Sequence, residues 1–222
     1  MPGRDYMKRT CQMIIALCLP LVLCGPVRAQ HSGPYVGAFV GGSALMTAKA
    51  SDDQGSFSLK FDPALLGSAV AGWDFAPRNP VGEGRIELEY SRRSNPLNQV
   101  KFADGDFKGG GDLKVDSLMV NFFGVFHNKT PWSPYAGAGL GAARMEASAL
   151  NVTGNPLASG TSNVFAYQLG AGIDYALTSY LSLDLGYRFF NSVRPRFTEV
   201  NGHTFKMDYL SHNAVLGLRV GF

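Results

Sequence analysis

The chain has 222 residues, 45% hydrophobic and 17% charged, with 20 basic against 17 acidic side chains and 3 cysteines. Its excess basicity is local: Arg4, Lys8, Arg9 and Arg28 stand against Asp5 in residues 1–29, so the remainder holds 16 of each sign (20 less 4, 17 less 1). A neutral remainder argues against a nucleic-acid partner, and Cys11, Cys18 and Cys24 all lie in the same 29 residues, which excludes disulfides and thiolate metal sites from the rest.

Residues 1–29 read as a cleavable signal peptide. Lys8 and Arg9 precede an apolar run at 11–23, and Val27-Arg28-Ala29 offers small residues for cleavage. Met7 is an alternative start, since MKRT opens a conventional signal. Leu21-Val22-Leu23-Cys24 has the outline of a lipoprotein site, but bulky Leu23 stands where a small residue is needed. The expected mature domain is 30–222. No part of it approaches the roughly 18 uninterrupted apolar residues of a transmembrane helix.

Eight segments of period 2 follow, at residues 35–44, 65–75, 84–91, 117–126, 135–144, 164–175, 180–189 and 213–222. They are rich in glycine, β-branched and aromatic residues and lack a 3.6 period, so they predict strands. Each is close to the about 9–11 residues with which a tilted strand crosses a bilayer. Long polar stretches (45–64, 92–116, 145–163, 190–212) alternate with short ones (76–83, 127–134, 176–179). Long outer loops, short inner turns and an even strand number are the arrangement of an outer-membrane barrel. The expected fold is therefore all-β: an eight-stranded antiparallel up-and-down transmembrane β-barrel.

The third segment contains RIELEY, residues 85–90, and poses the question of which face is buried. Successive strand side chains point to opposite faces. Ile86, Leu88 and Tyr90 share a parity with the apolar residues of the other segments, such as Leu118, Val120 and Phe122. The opposite parity carries Asp74, Arg85, Glu87, Glu89, Asp174, Asp184, Arg188 and Arg219, with Asn121, Gln168, Ser182 and Asn213. A lone cation facing lipid at midplane costs about 2–4 kcal/mol. The charges are thus expected inside, as a salt-bridge network filling the lumen, with Asp184, Arg188 and Arg219 able to pair. Phe39, Met119 and Phe123 are apolar exceptions on that face. Trp73, Phe75, Phe126, Trp132, Tyr135, Tyr175 and Tyr180 flank the short links, and Tyr35 and Phe222 mark the ends; together they predict one aromatic belt at the lipid–water boundary.

Leu216, Leu218, Val220 and a terminal Phe222 close the last segment. This ending, with SLMVNFFGVF, YAGAGLGAAR and YQLGAGIDYALTSYLSLDLGYRF, resembles the eight-stranded outer-membrane barrels, in particular the opacity-type surface proteins and the transmembrane domain of OmpA-like proteins. The resemblance covers nearly all of 34–222 and specifies the fold far better than the activity. It implies a Gram-negative outer-membrane location, with membrane lipids and lipopolysaccharide as surroundings. It also implies that Leu216, Leu218, Val220 and Phe222 signal to the barrel-insertion machinery. The peptidoglycan-binding domain of full-length OmpA-type proteins is not expected here.

Three functions follow. The first is a non-enzymatic surface barrel, without cofactor, that contributes to envelope integrity. Its four long loops carry Arg92, Arg93, Lys101, Lys108, Arg194, Arg196 and Lys206 for adhesion to host surfaces or polyanions. The second is a small-conductance channel along the charged lumen. The third is a lipid A-modifying enzyme using His203, Ser211, His212, Glu199 and Asp208. It lacks the His-x-Ser pattern of the deacylases, and adjacent Ser211 and His212 would point to opposite faces. Residues 103–112 (ADGDFKGGGD) have the outline of a calcium loop through Asp104, Asp106 and Gly109. Lys108 sits at a ligand position and Val115 replaces the bidentate Glu, so a flexible glycine-rich tip is the better expectation. His31, His127 and His203 read as isolated, solvated residues.

Overall fold

The computed structural model describes residues 32–53, 55–75, 84–126, 130–200 and 202–222. The expected signal peptide, link 76–83, His31 and His127 lie outside the described residues.

The described residues form twelve antiparallel strands: β1 (Gly33–Leu45), β2 (Ala48–Ser51), β3 (Ser56–Phe61), β4 (Ala64–Asp74), β5 (Gly84–Phe102), β6 (Gly105–Val125), β7 (Trp132–Val152), β8 (Asn155–Ala176), β9 (Leu181–Ser192), β10 (Arg196–Thr198), β11 (Thr204–Met207) and β12 (Leu210–Gly221). Strands β1, β4, β5, β6, β7, β8, β9 and β12 pair in succession, and β12 returns to β1 from Tyr35↔Gly221 to Leu45↔Ser211. Closure leaves no edge, so every ladder hydrogen bond is satisfied without water. The expected eight-stranded barrel is present.

The four long polar stretches are not loops. Strands β5 to β8 are 19 to 22 residues long, about twice the roughly 9–11 residues with which a tilted strand crosses a bilayer, and β2–β3 and β10–β11 are hairpins built from the first and last stretches. Strand β3 joins β5 through Ser58↔Lys101, and β11 joins β2 through Lys206↔Ser51. The bridge Ala158↔Glu199 and the bond from Val200 N to Leu157 O (3.2 Å) bring the β10–β11 hairpin back against β8. A second, upper storey of eight strand segments therefore stands on the first, away from the chain ends.

The storeys differ in what their walls enclose. In the lower one the apolar parity faces outward, with Leu118, Val120 and Phe122 exposed while Asn121 is buried. In the upper one the parity is unchanged but the chemistry is exchanged: Leu113, Val115, Met145, Ala147 and Leu150 are buried inside. They join Phe57, Leu59, Phe197 and Phe205 from the hairpins in one core, while the outward neighbours of the long strands are now Lys114, Asp116 and Arg144. The glycines at 109–111 belong to β6 rather than to a flexible tip. Gly111 (φ 87°) and Ala149 (φ 51°) sit at a bulge where the β6–β7 register shifts. Such a bulge bends and twists a strand locally.

The aromatic belt is borne out for Trp73, Phe75, Phe126, Trp132 and Tyr180, all exposed at the end bearing the short links, with the Trp132 ring 4.5 Å from that of half-buried Tyr175 and tilted 53° to it. Tyr35 and Tyr135 are corrections, being only 3% and 2% exposed. Each opens a glycine-spaced inward row, and the glycines opposite leave room for the rings. A Cβ on Gly186 would come within 2.6 Å of the Tyr135 hydroxyl. Towards the other boundary Tyr90, Phe165, Tyr167 and Tyr187 are exposed and form a second belt.

Candidate functional site

The lower lumen is filled by the predicted charged residues. Arg85, 1% exposed, points Nη1 at Asp174 Oδ2 (2.8 Å) and Nε at Glu87 Oε1 (3.1 Å), with Nη2 3.7 Å from Asp184. Its guanidinium carbon lies 4.0 Å from the Tyr135 ring centroid. Arg219 pairs with Asp174, with Asp184 (3.5 Å) and with Asp74 (3.8 Å). Tyr35 donates to Glu87 (2.8 Å) and Tyr135 to Asp184 (2.7 Å). One level higher, Glu89 accepts from Asn121 (2.8 Å) and Gln168 (2.9 Å) and lies 3.9 Å from Arg188. The expectation that Asp184, Arg188 and Arg219 pair is met for Asp184 and Arg219, whereas Arg188 turns to Glu89 and to the Tyr135 hydroxyl (3.2 Å). These side chains cross the lumen from wall to wall.

Arg93 completes this column and corrects the expectation that it is a surface-loop residue. It is 2% exposed, donates from Nε to the Tyr209 hydroxyl (2.9 Å) and stacks 4.1 Å from the Phe190 ring. Its parity continues that of Glu87, Glu89 and Ser91, a signal that was present once the strand is followed past Ser91.

The other surface candidates do lie outside, on one face of the upper storey. The exposed cross-strand rows are Arg196↔Lys206, Lys49↔Ser58↔Lys101 and Lys60↔Gln99↔Lys108. Lys49 and Lys60 were not singled out from sequence because only the register brings them beside the rest. Lys101 is paired with Asp106 at 3.8 Å, Arg194 with Asp208 at 2.7 Å, and Arg92 with Asp116 at 3.7 Å. Arg196 and Lys206 stand directly opposite each other, a like-charge placement that disfavours the bare sheet. Lower on β6, outside these rows, Lys114 is matched to Glu146 (3.7 Å).

The hydrolase candidates are not brought together. Ser211 is buried and bonded to Asn213, while the His212 ring turns outward to the Tyr187 hydroxyl (2.5 Å). His203, expected to be isolated, lies 3.0 Å from Asp53, and Asp208 is held by Arg194. Asp106 of the calcium-like stretch is engaged by Lys101 and by Gln99 (3.1 Å).

The family model described as outer membrane protein beta-barrel domain matches residues 14–218. The chain belongs to this outer-membrane β-barrel family. It is an outer-membrane protein of the Gram-negative type. The chain is 29% identical over 150 residues to the outer membrane protein PagN of Salmonella typhimurium, a match covering 58% of each chain. It thus spans less than two thirds of that relative's length. Among solved structures, the outer-membrane protein OprG of Pseudomonas aeruginosa superposes with a TM-score of 0.59 at 12% identity, over 88% of this chain and 100% of its own. Neisserial surface protein A gives a TM-score of 0.53 at 24% identity, over 86% and 98%. These two likenesses concern the fold.

Proposed function

We propose that this barrel is a non-enzymatic surface protein that attaches to polyanions, such as sulfated or phosphorylated polysaccharides, through the basic face of its upper storey. The observation that carries this reading is the register placing Arg196, Lys206, Lys49, Lys60, Lys101 and Lys108 on one exposed sheet face. On this face Asp106 lies beside Lys101 and Asp208 is taken by Arg194. Strands are about 4.8 Å apart, so the directly opposed Arg196 and Lys206 lie within a Debye length, about 8 Å at physiological salt, and Lys49 and Lys101, with Ser58 between them, are about 10 Å apart. An anion bridging them also relieves the repulsion between Arg196 and Lys206. Rigid strands hold the array at fixed spacing, which lowers the ordering cost of binding. The plugged lower lumen serves the envelope as a closed, stable anchor.

The test is retention of the barrel, in lipid nanodiscs, on immobilised heparin and on immobilised lipopolysaccharide. Retention should weaken roughly tenfold between about 50 and about 200 mM salt and be lost in a Lys49→Glu, Lys60→Glu, Lys206→Glu triple variant. A Lys114→Glu variant, lower on β6 and outside these rows, should be retained like the parent. Retention indifferent to salt, or to the triple reversal, overturns the proposal. Comparing the two matrices distinguishes a host-type sulfated glycan from a bacterial phosphate.

A further inference from the structure

The mouth of the upper storey is hollow. The tips of the β2–β3, β5–β6 and β7–β8 hairpins surround an open cavity of about 800 Å³. Phe57, Phe102 and Phe107 floor it as a continuous chain of rings, with centroids 5.3 Å apart for Phe57–Phe102 and 5.9 Å for Phe102–Phe107. Phe57 also packs edge-on against Phe205 of the upper core (5.4 Å), which fixes the floor to the fold. Exposed Asp104, Thr153 and Asn155 stand at the rim, Asp104 in the turn between β5 and β6. Ser56, Phe57, Phe102 and Ala103 also line a neighbouring cavity of about 490 Å³, whose other walls include Lys49, Lys101 and Arg194. One trough therefore runs from the aromatic floor to the basic face. Its charges are of both signs: Asp52 accepts from Gly55 N (2.7 Å), Asp106 lies beside Lys101, and Asp208 is held by Arg194.

We infer that the trough holds one sugar ring of an acidic polysaccharide, stacked by its C–H face on Phe102 and Phe107, while charged groups of the same chain lie on Lys49 and Lys101. The inference rests on the polyanion reading above and adds an uncharged contact to it. The cavity has the size of ligand pockets, about 300–1,000 Å³, in which apolar walls supply burial and a few polar groups fix orientation. Charge alone does not choose the occupant, because carboxylates and cations are interleaved along the trough. A plain polyanion meets Asp104 and gains nothing from the rings. A hydrocarbon tail covers the rings but strips water from Asp104, Thr153 and Asn155 without replacing its hydrogen bonds, which is unfavourable. A pyranose ring satisfies both parts. Its C–H face removes apolar area of the half-buried rings from water. Hydroxyls around its edge donate to the rim oxygens, and a bond to the Asp104 carboxylate is of the stronger, charge-assisted kind.

The test compares two polyanions by titration calorimetry on the barrel in phosphatidylcholine nanodiscs, with empty nanodiscs as blank. Heparin oligosaccharides carry sugar rings; inorganic polyphosphate carries charge and no ring. Phe107→Ala should weaken heparin several-fold and leave polyphosphate unchanged. Asp104→Asn should also weaken heparin, because it removes a charged acceptor of hydroxyls, yet leave polyphosphate unchanged or bind it more tightly, because it removes a like charge. The Lys49→Glu, Lys60→Glu, Lys206→Glu triple variant should weaken both ligands. Retained folding of each variant is read from its altered electrophoretic mobility without heating. Equal effects of Phe107→Ala on the two ligands, or tighter heparin binding by Asp104→Asn, overturn the sugar contact while leaving the basic face standing. Indifference of both ligands to the triple variant overturns the polyanion reading and the inference with it, as does a parent that binds neither.

Discussion

Strand β6 passes through both storeys, and its inward positions change character along the way. At the lipid level they include Asn121 beside Glu89 and Gln168, whereas above it they are Val115 and Leu113, sealed in an apolar core. The outward positions change in the opposite sense, from Phe122, Val120 and Leu118 to Asp116 and Lys114. One backbone geometry thus serves two solvents. Where acyl tails surround the wall, apolar side chains face out and the lumen can be ionic, because its charges are paired and hydrogen-bonded. Where water surrounds the wall, the ordinary rule returns and the apolar residues retreat inside. The exchange falls between Asp116 and Leu118 on β6, between Tyr90 and Arg92 on β5, and between Ala142 and Arg144 on β7, and it marks the water boundary.

The comparison can be broken from either side. The largest effect is expected in the lower lumen. Arg85→Ala removes the ion pairs to Glu87, Asp174 and Asp184, leaving Tyr35 and Arg219 to hold these carboxylates, and should lower unfolding stability in urea by about 3–5 kcal/mol, as loss of one partner of a buried pair does. Phe205→Ala in the upper core should cost about 3–5 kcal/mol as well, the range for removing a buried aromatic side chain. Its signature differs: the upper hairpins should become sensitive to protease while the membrane-embedded strands stay protected. Next, Val120→Arg on the lipid face should cost about 2–4 kcal/mol, while Lys114→Leu, on the same side of β6 but above the boundary, should change stability by less than about 0.5 kcal/mol. Smallest of all, Lys206→Ser should stabilise the upper sheet by about 0.2–1 kcal/mol, since it removes a like-charge pair. Urea unfolding with parallel proteolysis measures all five.

Much of the lower storey was legible because lipid forces a strict period of 2. Leu181, Leu183, Leu185 and Tyr187 face out, and Asp184 and Arg188 face in, as their alternation requires. The upper storey was not legible for a physical reason. Its outward residues are lysines, arginines, aspartates and serines, and its strands carry glycines at 109–111 and prolines at 96 and 156, so 45–64, 92–116, 145–163 and 190–212 read as loops. The inward residues Leu97, Val100, Leu113, Val115, Met145 and Ala147 kept their spacing, but bulges at Pro96/Gln99 and Gly110/Asp112 interrupt the alternation. Arg93 was misplaced by the same error, and Tyr35 and Tyr135 by their position at strand starts. The basic face needed the register, since Lys49, Lys101 and Lys206 are far apart in the chain.

The exchange of solvents along one strand is most directly tested by spin labels at single cysteines placed at positions 112, 114, 116, 118, 120 and 122, with Cys11, Cys18 and Cys24 changed to Ser. In nanodiscs, labels at 118, 120 and 122 should collide with oxygen dissolved in lipid, and those at 112, 114 and 116 with a water-soluble nickel complex. The crossover should fall between 116 and 118. Oxygen accessibility extending to 112–116, or nickel accessibility reaching 120 and 122, would contradict the assignment of the two storeys to water and lipid.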